Sequence, residues 1–410
     1  MSLNRVAITG RGAISPFGLD VEALVENIWA GRSAVRLMPQ WRQIKGLKSL
    51  LAAPVPEFDP KKMLPRSARR TMGPMAIYAT LAAREAIKDA ALSPEQLASG
   101  TTGVAIGSST GSPSAYEDFY SRFLPQMATE QIKSGEFFKM MGHSCAANVA
   151  QALGINGEQW AAASACTSAA QSIGLGYLMV QTGRQGAMVC GGADEVHSSV
   201  TGVFDLLKAA SVQNDDPPHT PRPFDLQRDG VVCGGGSGIV VLENLDQARQ
   251  RGARIYGEII GFGNVTDSSH IANPHEESMA RAMTGAMREA GLQPGEIDYI
   301  NAHATGTEQG DRAEAAAIKL AVNGEAPVSS FKGHIGHTLG AAGSLELIIL
   351  LEMLERQEIV PTLNLQEADP ACAVVNLVTE IKKQSLKTVL KNNFALGGVN
   401  AALAIRRIDS

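Results

Sequence analysis

The 410-residue sequence has few of the features that mark several large classes of protein. Its five cysteines form no Cys-x-x-Cys pair, which argues against a disulfide scaffold and a structural zinc site. The formal net charge is −5 and no long basic run occurs, so nucleic acid is not an expected partner. No G-x-x-x-x-G-K-[ST] segment is present, and Pro16 blocks a dinucleotide-type helix after GRG, so nucleotide binding is not expected either.

Targeting and membrane signals are also lacking. The opening stretch MSLNRVAITGRGAISPFG enters a strand pattern at once and has no charged start, apolar stretch or cleavage site of a signal peptide. No apolar run reaches the length of a membrane-spanning helix. These absences, with the unpaired cysteines, predict a soluble enzyme of a reducing compartment, cytoplasmic and without a membrane partner.

The sequence does contain a regular alternation of short β-branched runs and longer helical runs. RVAITG, TGVAIGS and GAMVCGG predict strands, whereas DVEALVENIWAG and MAIYATLAAREAIKDAAL predict helices. This alternation predicts an α/β fold with mostly buried sheets. RVAITGRG resembles YGEIIGFG at residues 256–263. Taken alone, this echo fits either a duplicated unit with a join near residue 250 or a chance likeness.

One cysteine stands apart from the other four. Cys166 lies among small residues in ASACTSAAQSIG, at the predicted start of a helix. Unpaired N–H groups and the helix dipole favour a thiolate there, and the same N–H groups could hold an oxyanion. Position alone leaves both a nucleophile and a small buried residue open. The buried hydrophobic interpretation is preferred for Cys145, Cys190, Cys233 and Cys372.

Two further segments supply partners for a nucleophilic cysteine. NAHATGTEQGD places His303 just after the strand-like IDYI, and SSFKGHIGHTLGAAG places His337 five residues after Lys332. A histidine after a strand can also be a plain core or turn residue, and His334 fits that description. The small residues around His303 and His337 leave room for a ligand, so these two are the candidate partners.

These stretches resemble the active-site blocks of the β-ketoacyl-acyl carrier protein synthases, the condensing enzymes of fatty acid and polyketide synthesis. SACTSA is similar to the nucleophile block, and NAHATGT and KGHIGHTLGAAG are similar to the two histidine blocks. NNFALGGVN is similar to the glycine-rich loop near the C-terminus, and RPFDLQRDGVVCGGGSGIVVLE to a central block. The resemblance implies a thiolase-like fold of two related α/β halves in five layers (αβαβα). Residues 1–250 would carry the cysteine, and residues 251–410 the histidines and the lysine.

The resemblance also implies a reaction, a decarboxylative Claisen condensation that extends an acyl chain by two carbons. Cys166 would accept the acyl group, and the backbone N–H groups of Cys166 and Leu396 would form the oxyanion hole. Malonyl-acyl carrier protein would then bind, and His303 and His337 would stabilise the enolate left when carbon dioxide departs. The substrates would be carried on the phosphopantetheine arm of acyl carrier protein, with no metal and no separate cofactor.

Further residues take supporting roles by the same resemblance. Lys332 would support the site electrostatically, paired with Glu314. Thr305 and Thr307 would hold the phosphopantetheine arm, although threonine in such a turn also caps backbone groups.

A basic run is the candidate docking site for the acidic carrier protein. KKMLPRSARR precedes a predicted helix, and Arg66 and Arg70 best match the docking positions of the family. An acidic enzyme needs such a local patch to attract an acidic partner. A merely solvated charged face is the alternative.

The loop at residues 392–400 departs from the family pattern N-S-F-G-F-G-G-T-N. Phe394 is kept, the next glycine is Ala395, and the second phenylalanine, which gates the acyl pocket, is Leu396. Alanine restricts the backbone more than glycine, and a smaller gate would admit a different acyl chain. Thr110 matches a position that limits chain length in that pocket. It begins the segment TGSPSAYEDFYSRF, whose aromatic residues fit either interface packing or an adapted acyl pocket.

The sequence therefore predicts a 3-oxoacyl-acyl carrier protein synthase of fatty acid biosynthesis that works with a free carrier protein. A homodimer is expected, and a heterodimer with a related subunit stays open. The alternative is a ketosynthase of a dedicated type II polyketide pathway, for instance a polyene pathway. A non-catalytic chain-length factor is disfavoured because that subunit lacks the nucleophilic cysteine.

Overall fold

The computed structural model describes residues 3–408, in which two halves of the chain repeat one arrangement of strands and helices. The strands of the first half are β1 (Val6–Ile14), β2 (Arg36–Leu37), β3 (Leu51–Ala52), β4 (Thr102–Gly107), β5 (Gln159–Trp160), β6 (Ala187–Asp194) and β7 (Gly236–Asn244). Its helices are α1 (Val21–Trp29), α2 (Arg66–Arg69), α3 (Pro74–Asp89), α4 (Pro94–Ala98), α5 (Pro113–Phe123), α6 (Ser134–Met140), α7 (Ser144–Leu153), α8 (Ser168–Gln181), α9 (Ser198–Leu206) and α10 (Leu245–Gln250).

The second half has the remaining elements. Its strands are β8 (Gly257–Thr266), β9 (Tyr299–Asn301), β10 (Pro327–Ser329), β11 (Glu358–Ile359), β12 (Asn376–Leu377), β13 (Lys382–Lys383), β14 (Thr388–Phe394) and β15 (Val399–Arg406). Its helices are α11 (Glu276–Ala290), α12 (Glu308–Val322), α13 (Lys332–Ile335) and α14 (Ala342–Arg356). The strands and helices predicted from RVAITG, TGVAIGS, GAMVCGG and the two long helical runs are confirmed.

The main sheet is continuous, with the order β12-β10-β9-β14-β15-β8-β1-β7-β6-β4-β5. From β1 outward through β7, β6, β4 and β5, successive pairs are antiparallel, antiparallel, parallel and parallel. From β8 outward through β15, β14, β9 and β10 the same directions recur. The halves join where β1 pairs with β8 from Val6↔Ile259 to Ile8↔Gly257. This repeated topology confirms two related α/β halves, while the division at residue 250 stays a prediction.

The likeness of RVAITGRG to YGEIIGFG has a packing cause. β1 and β8 hold equivalent places, and a helix packs closely against each of them. A Cβ atom on Gly12 would lie 1.9 Å from the carbonyl oxygen of Ala82 in α3. A Cβ atom on Gly263 would lie 1.9 Å from that of Ala282 in α11. Only glycine allows this approach, so the G-x-G segments serve helix packing.

The elements stack in five layers. α3 and α7 cover the outer face of the strands of the first half, and α11 and α12 cover the outer face of the strands of the second half. α8 and α14 lie between the two halves of the sheet, where their apolar residues form the largest core together with β1, β7 and β15. All five cysteines are buried and free. No helix within residues 3–408 is long and apolar enough to cross a membrane.

The beginnings of the two central helices meet in the middle of the molecule. α8 follows a 3-10 turn at Ala165–Thr167, α14 follows one at Leu339–Ala341, and the two turns are in contact. The first residue of each turn is left-handed, with φ of 48° at Ala165 and 53° at Leu339. Non-glycine residues adopt this conformation only at a cost, and such strain is concentrated at functional sites.

Candidate active site

Cys166 occupies the turn that begins α8, and small polar side chains hold that turn. Thr167 Oγ1 donates to Ser164 O at 2.7 Å, and Ser168 Oγ donates to Ala165 O at 2.8 Å. The Ser164 N–H donates to Ser168 Oγ at 3.0 Å. The run of small residues around the cysteine therefore has a structural task, and it leaves the thiol beside a cavity.

Two histidines of the second half approach the Cys166 sulfur. His337 Nε2 lies 2.9 Å from Cys166 Sγ. The ring of His303 lies edge-on to that of His337, with the centroids 5.1 Å apart and the planes at 84°. Cys166 Sγ and one ring nitrogen from each histidine all lie within 4.8 Å of one another. Three segments that are far apart in the sequence thus meet at one point.

Burial governs the protonation of these groups. It raises the pKa of the Cys166 thiol to about 12, against the lowering effect of the Lys332 charge. Burial, reinforced by the Lys332 charge, lowers the pKa of His303 and of His337 well below the usual value. At pH 7 the site therefore holds a thiol and two neutral imidazoles. A neutral His337 can accept the thiol proton.

The predicted pairing of Lys332 with Glu314 is wrong. Lys332 Nζ pairs instead with Glu346 of α14, and both side chains are fully buried. The Glu314 carboxylate is committed elsewhere, because it accepts the His303 N–H at 2.8 Å and the Ala304 N–H at 2.6 Å. Burial raises the pKa of Glu314 to about 7. The Glu314 carboxylate therefore holds the backbone at His303 and Ala304.

Sequence reasoning missed two charged residues beneath the histidines. Glu346 lies inside the apolar helix SLELIILLEMLE, and that unexpected charge was its signal. Lys391 lies within β14, next to NNFALGGVN, with Nζ 2.7 Å from Glu346 Oε2. A lysine in a strand that is otherwise buried was the available signal for this residue.

The loop after β14 forms one wall of the site. Phe394 ends β14, and its ring centroid lies 6.4 Å from that of His303. The Gly397 N–H donates to Ile271 O at 2.8 Å, which ties down the tip of the loop. Leu396 is 40% exposed and borders the cavity, and its role as a gate stays a prediction.

A cavity of about 500 Å³ opens over Cys166. Both histidines line it, together with Phe394, Leu396, Thr305 and Thr307. The hydroxyl oxygens of the two threonines lie 3.1 Å apart. A cleft of this size, with a few polar groups among apolar ones, is typical of a small-molecule site.

Three predicted residues lie away from this cavity. Thr110 is exposed at the approach to α5 and does not line it, so its acyl-pocket role stays a prediction. Arg66 and Arg70 border a separate groove of about 690 Å³, together with Lys133 and Lys139. The two lysines were not anticipated, because they lie more than sixty residues further along the chain.

The same thiol and imidazoles are zinc-ligand types. The charges of Lys332 and Lys391 act on both histidines and oppose a cation at this place. We therefore assign no metal ligands, and the arrangement fits thiol chemistry. A strained helix start that presents a thiol to two neutral imidazoles, within duplicated α/β halves, defines a thiolase-like condensing enzyme.

The chain belongs to the β-ketoacyl synthase family. Residues 3–248 match the family described as "Beta-ketoacyl synthase, N-terminal domain", and residues 256–366 match "Beta-ketoacyl synthase, C-terminal domain". The resemblance drawn from the sequence motifs is thereby confirmed.

Relatives from two kinds of pathway match over the full length. The 3-oxoacyl-[acyl-carrier-protein] synthase 1 of Haemophilus influenzae is 36% identical over 410 residues, covering 99% of this chain and 100% of the relative. The tetracenomycin polyketide synthase ketoacyl synthase alpha subunit of Streptomyces glaucescens is 36% identical over 420 residues, covering 98% and 97%. The chain is an acyltransferase of the 3-oxoacyl-acyl carrier protein synthase type, as predicted.

Solved structures agree with this assignment. A β-ketoacyl synthase from Burkholderia phymatum is 40% identical with a TM-score of 0.96, covering 99% of this chain and 100% of that one. A type II polyketide synthase acyl carrier protein in complex with its ketosynthase gives 28% identity and a TM-score of 0.91, covering 100% of both. The thiolase-like fold is confirmed. The family takes its substrates on the phosphopantetheine arm of acyl carrier protein and uses no separate cofactor.

Proposed function

We propose that Cys166 carries the growing acyl group. Its sulfur attacks the thioester carbonyl of an acyl carrier protein, a new carbon–sulfur bond forms, and the carrier leaves as a thiol with the proton that Cys166 gave up. His337 Nε2, 2.9 Å from Sγ, can relay that proton. The observation that carries the proposal is this contact between a buried thiol and a neutral imidazole beside an open cavity.

The backbone N–H groups of Cys166 and Leu396 form the oxyanion hole of this transfer. Cys166 lies in the turn that starts α8, where N–H groups and the helix dipole favour negative charge. Leu396 borders the same cavity as Cys166. Two such donors stabilise the tetrahedral intermediate without any movement of charge in the protein.

The second step uses both histidines. His337 first changes from the tautomer that accepts at Nε2 to the tautomer that carries its hydrogen there. His303 and His337 then donate hydrogen bonds to the thioester oxygen of a malonyl group, the carbon–carboxylate bond breaks, and the electron pair of that bond stays behind as an enolate while carbon dioxide leaves. The enolate carbon attacks the acyl carbon on Cys166, a carbon–carbon bond forms, the bond between the acyl carbon and Sγ breaks, and the released thiolate takes up a proton from solvent. Neutral imidazole donors suit this step because it removes no proton from carbon.

Two side chains near the cavity hold the phosphopantetheine arm. Thr305 and Thr307 present adjacent hydroxyl groups on the cavity wall, within reach of an amide-bearing arm. Lys332 adds positive potential beneath the site, and Glu314 fixes the backbone of His303.

Arg66 and Arg70 dock the carrier protein. With Lys133 and Lys139 they give one groove four cationic side chains, against a net charge of −5 for the whole chain. A local basic surface on an acidic enzyme steers an acidic partner and sets its orientation. The complex of a related ketosynthase with its acyl carrier protein supports a partner of this kind.

Fatty acid elongation by a cytoplasmic homodimer is the preferred role, and a type II polyketide pathway is the second candidate. Relatives of both kinds match equally well, and Ala395 and Leu396 favour an altered acyl preference. The exposed edge strand β5 offers main-chain groups to a second copy or to a related subunit. Thr110, at the approach to α5, would complete the acyl pocket.

The test is intact-mass analysis of the protein after incubation with a panel of acyl carrier proteins of different chain length and saturation. We expect one acyl mass on the wild type, none on Cys166→Ala, and a two-carbon extension once malonyl carrier is added. An acyl adduct of equal yield on Cys166→Ala would refute the assignment. Light scattering of the same samples distinguishes a homodimer from a chain that requires a different subunit.

A further inference from the structure

Lys391 is a buried charge that the roles above do not use. Its side chain is fully buried in β14. Nζ donates to Asn392 O at 2.7 Å and to Asn393 Oδ1 at 2.8 Å. Nζ also forms an ion pair with Glu346, at 2.7 Å from Oε2. Lys391 therefore links the buried Glu346 to the end of β14, just before the loop that contains Leu396.

Acidic groups from two helices and a basic group from a third face Lys391. Glu346 of α14 holds Lys332 of α13 on one oxygen and Lys391 on the other. Glu314 of α12 also attracts Lys391, although burial raises the pKa of Glu314 to about 7. The two site histidines also sense the Lys391 charge.

Lys332 and Lys391 share the one carboxylate of Glu346. Glu314, whose pKa burial raises to about 7, is only partly ionised near neutral pH, so the cluster has more positive than negative charge. Lys332 alone would balance Glu346, and a second buried cation costs free energy. That cost is visible in the pKa of Lys391, which burial lowers to about 8 in spite of the attraction of Glu346. A methionine would fill the same strand position without this cost. A costly charge beside a reactive site is typical of a functional group.

The surplus charge acts on the two imidazoles. The charges of Lys332 and Lys391 add to burial in lowering the pKa of His303 and His337. A protonated His337 could not accept the Cys166 proton. A protonated imidazole would also give its proton to the enolate carbon before the new carbon–carbon bond forms. Both steps therefore require His303 and His337 to stay neutral as the pH falls.

We propose that Lys391 is a second positioning cation of the active site, which shares Glu346 with Lys332 and keeps the site histidines neutral. It thereby sets the acid limit of the decarboxylation step. The inference rests on the proposed function, because that function gives the histidines their role. Lys391 touches neither the reacting atoms nor the cavity and acts through His303 and His337.

The test compares Lys391→Met with the wild type. Methionine fills a similar volume without charge, and Glu346 keeps Lys332 as its partner, so the variant is expected to fold. Lys383→Met in the exposed strand β13 is the matched control. Carbon dioxide release from malonyl-acyl carrier protein is measured from about pH 4.5 to about pH 9, which spans the usual histidine range. The histidine Cε1–H NMR signals, assigned with His303→Gln and His337→Gln, are titrated over the same range.

We expect the acid limb of carbon dioxide release and both histidine titrations to move up by about one pH unit in Lys391→Met. Lys383→Met should match the wild type, and Lys391→Arg should restore the wild-type profile. Unchanged histidine titrations in a folded Lys391→Met protein would overturn the inference whatever the activity. So would failure of both Lys391→Met and Lys391→Gln to fold, because Lys391 would then be a structural residue. A wild type that releases no carbon dioxide, with histidines that still shift in Lys391→Met, would refute the proposed function alone.

Discussion

The two halves of the molecule share a backbone but differ at the helix starts that meet in its centre. α8 and α14 each begin just after a left-handed residue, Ala165 or Leu339. The next residue is Cys166 in the first half and Gly340 in the second. The Gly340 N–H donates to the buried Asp194 carboxylate at 2.6 Å, so the protein itself occupies this helix start. The equivalent start at Cys166 faces the cavity.

The difference continues along both helices. Seven residues after the left-handed residue, α8 has Ser172 and α14 has Glu346. Both are fully buried, but Ser172 is neutral, whereas Glu346 holds Lys332 and Lys391. The two halves therefore have the same backbone arrangement but carry different chemical groups at equivalent positions. In the proposed function, the first half presents the nucleophile, and the second supplies the imidazoles and the positive charges.

The largest expected effect comes from removing the nucleophile of the first half. Cys166→Ala should reduce elongation to the uncatalysed background, because no thiol remains to hold the acyl group. Decarboxylation of malonyl-acyl carrier protein should persist, since its donors belong to the second half. Product analysis and carbon dioxide release measure the two steps separately. Full elongation by this variant would end the division of labour between the halves.

Substitution of the equivalent buried residues Glu346 and Ser172 should change the free energy of unfolding by very different amounts. Glu346→Gln leaves two buried ammonium groups without a carboxylate and should lower the free energy of unfolding by about 3–5 kcal/mol. Ser172→Ala removes a hydroxyl that has no hydrogen-bond partner within residues 3–408 and should change it by less than about 1 kcal/mol. Urea unfolding of both variants checks this. Equal losses would contradict the charge asymmetry.

His303→Ala should remove a step that belongs to the second half. Loss of one preorganised donor to the enolate oxygen should slow carbon dioxide release by about 10²–10³-fold. Acyl transfer to Cys166 should change far less, because His337 is the residue in contact with the thiol. The exposed His219→Ala is the control. A similar loss in both steps would mean that His303 is not specific to decarboxylation.

Neutralising the basic groove tests carrier-protein docking, a role proposed here only for residues of the first half. The double variant Arg66→Ala, Arg70→Ala should raise KM for acyl carrier protein by about tenfold and weaken its salt dependence, with kcat nearly unchanged. Arg42→Ala, an exposed arginine outside the groove, should have no effect. Steady-state kinetics at two salt concentrations decide the matter. Unchanged KM and salt dependence would place docking elsewhere.

The smallest expected effect concerns the gate. Leu396→Phe puts a larger planar side chain in place of a residue that is 40% exposed, and it should shift the preferred acyl length by a few-fold in kcat/KM, about 1 kcal/mol. Competition between acyl carrier proteins of different length measures this preference. An unchanged profile would mean that Leu396 does not gate the pocket.

The sequence was sufficient where one local pattern determines one local structure. Strand and helix periods located the main elements, and the glycine pairs of β1 and β8 marked the same contact with a helix in both halves. The partner of Lys332 could not be predicted, because Glu314 and Glu346 both lie in helices. Only three-dimensional packing determines that backbone amides bind the Glu314 carboxylate and leave Glu346 to Lys332. Lys391 did leave a signal, a lysine in an otherwise buried strand, but the sequence does not show that its partner is Glu346.

A crystal structure of Cys166→Ala with a non-hydrolysable malonyl-pantetheine thioester analogue tests the central claim most directly. We predict that the carbonyl oxygen of the analogue lies within hydrogen-bonding distance of both His303 Nε2 and His337 Nε2, with its methylene carbon facing residue 166. An analogue bound with that oxygen turned away from the two imidazoles would contradict the account.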